Sequence, residues 1–310
     1  MKEFAPIALF VYNRLDCTQV TIEHLKQNSL ATQTIIYIFS DGGKDEASWK
    51  KVQEVRNYLH TITGFKKVHI IERPENYYLE RNVIEGIAYV LERHDTIIVM
   101  EDDICSSPIL LEYFNNALQK YENISQVMHI ASFTNLDIPE MGDTYFTPHM
   151  SGCGCWATWK NKWTNFKHYA SKEEALSDLT PEMIQKIEYG GNFPCLKSLN
   201  KNPIPWDICW EITIHKMKGL CLHPSHTLIR NIGLSSGTHF NAFNRIFGWY
   251  EYDRPYRTHS IILKDIPIKE NPIIENMYAQ ALKDHGMRYN WFGKIVRYFY
   301  KKFFKKTVAN

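Results

Sequence analysis

No stretch of this 310-residue chain approaches the roughly 18 consecutive apolar residues that a membrane-spanning helix needs. The opening residues, Lys2 and Glu3 followed by PIALFVY, are too short for an export signal and lack its cleavage pattern, so a cytoplasmic chain is expected. The cysteines number seven, an odd count without CxxC spacing, which argues against both a disulfide framework and a zinc knuckle. Internal repeats and low-complexity segments are also missing. Acidic residues stop at Asp284, after which Arg288, Lys294, Arg297, Lys301, Lys302, Lys305 and Lys306 follow unopposed. Because the whole chain carries only +2, residues 1–287 are net −5. An acidic body with a basic tail points to an anionic surface met by the tail alone, and no nucleic-acid partner is expected.

What is present suffices for a full core: 44% hydrophobic and 14% aromatic residues. Apolar, β-branched-rich segments at 6–12, 34–40, 67–72, 96–101 and 127–132 recur at intervals of about thirty residues, the length of one βα unit. Between them Asp16, with Gln19 three residues on, reads as a helix cap, and 44–60 and 79–93 carry helical patterns. Residues 107–123 set Leu110, Leu111, Phe114, Leu118 and Tyr121 on one helix face. The alternation predicts an α/β fold with a doubly wound, mostly parallel sheet over 1–135. From 136 onward Gly, Pro, Trp and Cys dominate, and SGCGCWATWKNKWTNF (151–166) reads either as the wall of a binding cleft or as an aromatic core corner. A helix over 206–218 ends at Gly219, and the chain is helical again after Pro272.

Chemistry concentrates where the strand at 96–101 runs into Glu101, Asp102 and Asp103. In open α/β sheets ligands sit beyond the carboxyl ends of parallel strands, and hard oxygen donors there suit Mg²⁺ or Mn²⁺ with the diphosphate of a nucleotide. A solvated acidic loop is the plainer alternative. The first two strands end at Tyr12-Asn13-Arg14 and Ser40-Asp41-Gly42-Gly43, on the same predicted edge. Asp41 can accept from a base or ribose, and Gly42 would let backbone approach a ligand. Asn76, Arg81 and Asn82 add donors nearby. In NIGLSSGTH (231–239), Gly-rich backbone suits a diphosphate lid, and His239 can complete a metal shell or touch a phosphate. Asp207, Glu211 and His215, at i, i+4 and i+8, form an alternative metal face.

Taken together, FVYNR, YIFSDG, the Arg-Asn motif before the third helix, the EDD strand end and the following Ser-Pro helix resemble GT-A type nucleotide-sugar glycosyltransferases of the bacterial family 2 kind. The EDD triplet and the Trp-Asp segment PIPWDICWEITIHK also look like animal N-acetylglucosaminyltransferase I. The resemblance covers roughly residues 5–240 and implies a nucleotide-sugar-binding half (1–135), an acceptor-side subdomain carrying the catalytic residues (136–287) and a C-terminal helical tail (288–310). It implies Asp103 as a Mn²⁺ (or Mg²⁺) ligand, Asp102 on the donor sugar or ribose, and Arg14 and Asp41 on the base. It further implies an inverting enzyme with Asp207 as general base and Glu211 as rival. Two departures stand out. Only Asp207 lies where the animal enzyme has adjacent aspartates, and Gly154 and Cys155 replace the Trp-Gly pair that usually precedes WATW.

The expected donor is a UDP-sugar, and the expected acceptor a glycan of bacterial surface polysaccharide or lipopolysaccharide. Two other readings are weighed. A sugar-phosphate nucleotidyltransferase would carry a Gly-rich phosphate loop after the first strand, where this chain reads VYNRLDCTQV. A noncatalytic carbohydrate-binding protein would not need Asp103 and Asp207. Finally, WFGKIVRYFYKKFFKK (291–306) alternates aromatic and basic residues at helical spacing. That pattern fits a helix lying on an anionic membrane surface, hence a peripheral enzyme on the inner face acting on a lipid-linked acceptor; docking onto the catalytic domain is the alternative.

Overall fold

The structure, a computed structural model, describes residues 3–134, 136, 138, 141–151, 154–233 and 256–290, with 282–290 described by backbone alone. Strands β1 (Ile7–Val11), β2 (Ile35–Ser40), β3 (Lys67–Glu72) and β4 (Thr96–Glu101) alternate with helices α1 (Leu15–Lys26), α2 (Glu46–Leu59) and α3 (Tyr78–Leu91). Each central strand buries both faces, which is why it reads as an unbroken apolar run. Ile7, Leu9 and Val11 of β1 join Ile36 and Ile38 of β2 and Ile98 and Met100 of β4 in a core beneath α1, α2 and α4 (Leu110–Lys120). Their neighbours Ala8, Phe10, Tyr37, Phe39, Ile97 and Val99 face the other way, onto Val83, Ile87 and Val90 of α3.

The chain continues through β5 (Ile104–Ser106), β6 (Val127–Ala131), β7 (Thr144–Thr147), β8 (Cys155–Trp159), β9 (Leu220–Pro224) and β10 (Ile229–Asn231). Helices α5 (Lys160–Trp163), α6 (Lys172–Ser177), α7 (Pro181–Ile187) and α8 (Trp206–Lys216) lie between β8 and β9, and α9 (Pro272–Asn290) follows β10. The eight-stranded sheet has the order β3-β2-β1-β4-β8-β6-β9-β7, and β10 pairs separately with β5. All pairings of β1 to β4 are parallel, while β8 runs antiparallel to both β4 and β6, and β7 antiparallel to β9. With β6 and β9 parallel, six strands share one direction and β7 and β8 oppose it. The expected mostly parallel α/β sheet is therefore present, and residues beyond 136 add strands to the same sheet.

Strand order reverses between β1 and β4: the chain runs outward from β1 through β2 to β3, then returns to pair β4 with β1's other edge. At such a switch the connections diverge to opposite faces and leave a crevice beyond the strand ends. Register brings Phe10 level with Glu101 and Val11 level with Ser40, so the ends of β1, β2 and β4 open into one place.

Two sequence expectations change. Asp16 lies inside α1 and does not cap it; Arg14 occupies the cap position without a side-chain cap bond. The helix expected over 107–123 is Leu110–Lys120, and that over 206–218 ends at Lys216. Of its two open readings, the Trp-rich stretch takes the aromatic-core one. Its β8 sits between β4 and β6, with Trp156 fully buried and stacked on Trp206 (5.5 Å) and His129 (5.0 Å). Trp163 and Trp210, with centroids 5.0 Å apart, complete the cluster.

That cluster has an internal tension, because the buried Trp156 indole N–H has no hydrogen-bond partner. Trp156→Ala is expected to cost about 3–5 kcal/mol in urea unfolding through the cavity it leaves. Trp156→Phe should cost much less, since it also removes an unpaired donor. Equal losses in the two variants would show that ring volume is not what the site requires.

Candidate active site

Two acidic side chains dominate the crevice at the β1/β4 switch. Asp102 and Asp103 follow β4 and are both buried, and the guanidinium of Arg14, just beyond β1, ion-pairs with both: Nη2 with Asp102 Oδ1, and Nη1 with Asp103 Oδ2 at 3.0 Å. Backbone bonds fix the turn between them. The Thr21 hydroxyl donates to the Asp102 carbonyl (2.8 Å) and accepts from the Ile104 amide (3.1 Å), and the Tyr12 amide points at Asp102 Oδ2 (3.4 Å). Glu101 is tied to β8 through its amide, which donates to the Gly154 carbonyl at 2.8 Å.

This concentration of charge costs solvation. Burial pushes the Asp102 carboxyl up to about 6 against the opposing pull of Arg14. Burial also raises Glu101, and the charges of Asp103 and Asp102 raise it further. Among the described residues the triplet has one ion-pair partner, Arg14. Two carboxylates held by one guanidinium, with Glu101 adjoining them, retain an anionic excess, and a divalent cation would relieve it, so the donor set fits Mn²⁺ or Mg²⁺ in chemistry and charge.

From the other side, β10 pairs with β5 and brings 231–233 over Asp103. The Asp103 carbonyl accepts from the Ile232 amide (2.8 Å), and Asn231 Nδ2 lies 3.4 Å from Asp103 Oδ1. A Cβ on Gly233 would sit 1.9 Å from Asp103 Oδ2 and 2.6 Å from Arg14 Nη1, so a side chain there would have to displace the Asp103–Arg14 pair. His239, Cys153 and the 291–306 segment lie outside the described residues.

Asp41, at the end of β2, is buried and organises the loop before α3. Its Oδ1 accepts from the amides of Gly42 (2.9 Å) and Tyr77 (2.7 Å), and its Oδ2 from the Asn76 side chain (3.1 Å). What closely approaches Gly42 is the chain's own backbone, since a Cβ there would lie 2.3 Å from the Glu75 carbonyl carbon. Tyr78, at φ +59, starts α3 in the left-handed region and receives Lys44 over its ring at 4.7 Å. Strain of this kind in a non-glycine residue is often found beside binding sites.

Arg81 and Asn82, read from sequence as donors near this edge, have protein partners of their own. Arg81 is exposed, paired with Glu85 at 2.8 Å and stacked 3.6 Å from the Tyr77 ring centroid. Asn82 is buried and accepts from Arg73 Nε at 3.0 Å.

The helix α8 carries both candidate bases, in different surroundings. Asp207 is in its first turn, where the helix dipole favours an anion, and Oδ1 accepts from the Ile208 amide at 2.7 Å. It is near enough to Glu101 for its charge to raise that carboxyl. Trp206, the residue before it, is stacked on Trp156, so the aromatic core sets where Asp207 stands.

Glu211, one turn on, is buried and engaged on both oxygens. Oε1 faces His149 Nδ1 (2.9 Å) and His215 Nε2 (3.2 Å), and Oε2 accepts from the Met150 amide (2.9 Å). Burial would raise its carboxyl, but the two imidazoles override it and hold the group well below the usual range. The metal face expected from Asp207, Glu211 and His215 is accordingly redrawn: His149 takes the place of Asp207. Sequence gave no sign of His149, Thr21 or Asn231, because each acts across a long stretch of chain.

The Glycosyl transferase family 2 model matches residues 7–184. No curated protein matches the sequence significantly. Among solved structures, S. aureus TarS 1–349 aligns at TM-score 0.42 and 7% identity, over 75% of this chain and 61% of that one. The mannosyltransferase PcManGT from Pyrobaculum calidifontis, in complex with GDP-Man and Mn²⁺, aligns at TM-score 0.40 and 8% identity, over 70% of each chain. The chain thus spans less than two thirds of the TarS fragment.

The Arg14 pairing makes a testable demand. Arg14→Gln leaves Asp102 and Asp103 facing each other, and should destabilise the metal-free protein at pH 7 by about 1–3 kcal/mol, less than a fully buried pair because Arg14 is partly exposed. A raised folded-state carboxyl such as that of Asp102 favours the folded protein as pH falls through it, and removing Arg14, whose charge opposes that rise, raises Asp102 further. The gap between variant and wild type in chemical denaturation should therefore narrow from pH 7 to pH 5. A constant gap would mean that Arg14 acts through packing alone.

Proposed function

The chain belongs to glycosyl transferase family 2, and we propose that it is an inverting, metal-dependent glycosyltransferase that moves a sugar from a UDP-sugar to a glycan acceptor. The observation that carries this reading is the meeting of Arg14, Asp102 and Asp103 at the sheet's switch point, with the Asp207 charge felt at the adjoining Glu101. In this reading Asp102 and Arg14 orient the donor, and Asp103, with His239 as a second protein ligand, holds the divalent ion. That ion, when bound, would neutralise the charge developing on the nucleoside diphosphate as it leaves.

Asp207 takes the proton from the acceptor hydroxyl as that oxygen attacks the anomeric carbon from the side opposite the leaving group. Its place in the first turn of α8 and its electrostatic reach to Glu101 support it over Glu211, which His149, His215 and the Met150 amide hold in a closed network. Asp41, through Asn76 and the Tyr77 amide, shapes the loop on which the base would rest.

No described helix is long and apolar enough to cross a membrane. The aromatic and basic pattern of 291–306 supports a cytoplasmic enzyme resting on an anionic inner membrane face, with a lipid-linked acceptor of bacterial polysaccharide assembly.

Asp103→Ala should remove most Mn²⁺-dependent transfer with the circular dichroism unchanged; wild-type turnover in that variant would sink the assignment. Asp207→Asn should lower kcat by roughly 10²- to 10⁴-fold with little change in donor affinity, and the product should have inverted anomeric configuration. A larger kcat loss in Glu211→Gln at equal stability would transfer the role of base to Glu211. Deleting 288–310 should abolish co-sedimentation with anionic vesicles and spare transfer to a soluble acceptor analogue, whereas full retention of vesicle binding would reject the membrane reading.

A further inference from the structure

A second buried polar centre lies under α8, apart from the acidic turn. We propose that His149, Glu211 and His215 form a structural site for a transition-metal dication, Zn²⁺ by preference, which pins α8 to the loop between β7 and β8. The three ligand atoms lie within 4.8 Å of one another and all three residues are buried. Glu211 Oε1 is 2.9 Å from His149 Nδ1 and 3.2 Å from His215 Nε2. Donors around a tetrahedral zinc, with bonds of about 2.0–2.1 Å, stand roughly 3.3–3.4 Å apart, so the two Glu211–histidine separations lie within about half an ångström of that spacing.

The groups are also held in place before any ion arrives. Glu211 and His215 are one turn apart on α8. The His149 ring stacks on Tyr189 with centroids 3.8 Å apart, its amide donates to Thr147 Oγ1 (3.1 Å) and its carbonyl faces His223 Nε2 (2.9 Å). The far nitrogen of His149, Nε2, faces Glu275 Oε2 of α9 at 3.3 Å. A metal-bound imidazole ordinarily directs its second nitrogen at a carboxylate in this way, which fixes its tautomer and raises its basicity.

Charge balance separates this reading from a plain ion pair. Without a metal, His149 must carry both protons to serve Glu211 and Glu275, and one imidazolium then faces two carboxylates. Glu275 Oε1 is in addition buried without a hydrogen-bond partner among the described residues. With a dication, both histidines are neutral ligands and the two carboxylates match its charge. Net charge in a buried site is what burial penalises most, so balance favours the ion.

The site is independent of the transferase reading, and its test needs no turnover. Zinc would be titrated against a chromophoric competitor in excess Mg²⁺, which saturates hard oxygen sites. Wild type and Asp103→Ala should each bind one tight Zn²⁺, Glu275→Gln should bind roughly 10- to 100-fold more weakly, and His215→Gln should lose the tight site. Absence of tight zinc in the wild type, or its loss in Asp103→Ala, overturns the proposal. Should His215→Gln fail to fold, the wild-type Co²⁺ spectrum decides: intense four-coordinate visible bands support the site, and a weak six-coordinate spectrum refutes it.

Discussion

Arg14 holds together two carboxylates that would otherwise repel each other, and the geometry of the active edge depends on that pairing. Its guanidinium reaches from the end of β1 to Asp102 and Asp103 beyond β4, so the two strands bracketing the sheet's switch point are joined by charge as well as by their ladder. Gly233 closes over the same pair from a separate two-stranded ribbon, so near that a side chain there would have to displace it. An anionic excess kept this close can be relieved by a cation, which is the feature the proposed metal dependence draws on.

The aromatic core performs the complementary task. Trp156 on β8 stacks with Trp206 at the start of α8, while β8 itself pairs with β4 and meets Glu101 through Gly154. One side of the packed cluster thus sets the acidic turn and the other sets Asp207. A base and a binding site built on different elements must be held to within fractions of an ångström, and close packing supplies that rigidity better than mobile surface contacts.

A single helix carries two acids with opposite surroundings. Asp207 stands in the first turn of α8 near the site, and Glu211, four residues on, is turned into a closed histidine network. Their spacing is the same as for any i, i+4 pair on a helix. What separates their chemistry is which neighbours arrive from β7, β8 and α9.

The sequence by itself determined the parallel βα frame, because strands buried on both faces must be apolar throughout and recur with the length of a βα unit. It also marked the acidic strand end, the Arg14 and Asp41 loops and the Asp207 helix, since each is a short motif at the end of an element that periodicity locates. Only the tertiary structure decided which of these groups meet. It turned Arg81 outward, buried Asn82 against Arg73, spent Gly42 on the chain's own Glu75 backbone and made the Trp-rich stretch a central strand. It also brought His149 to Glu211 across 62 residues and Glu275 to His149 across 126. Such contacts depend on how distant segments pack, and local spacing carries no information about them; charge and burial, not residue type, then decide whether a carboxylate binds a ligand, moves a proton or holds the fold.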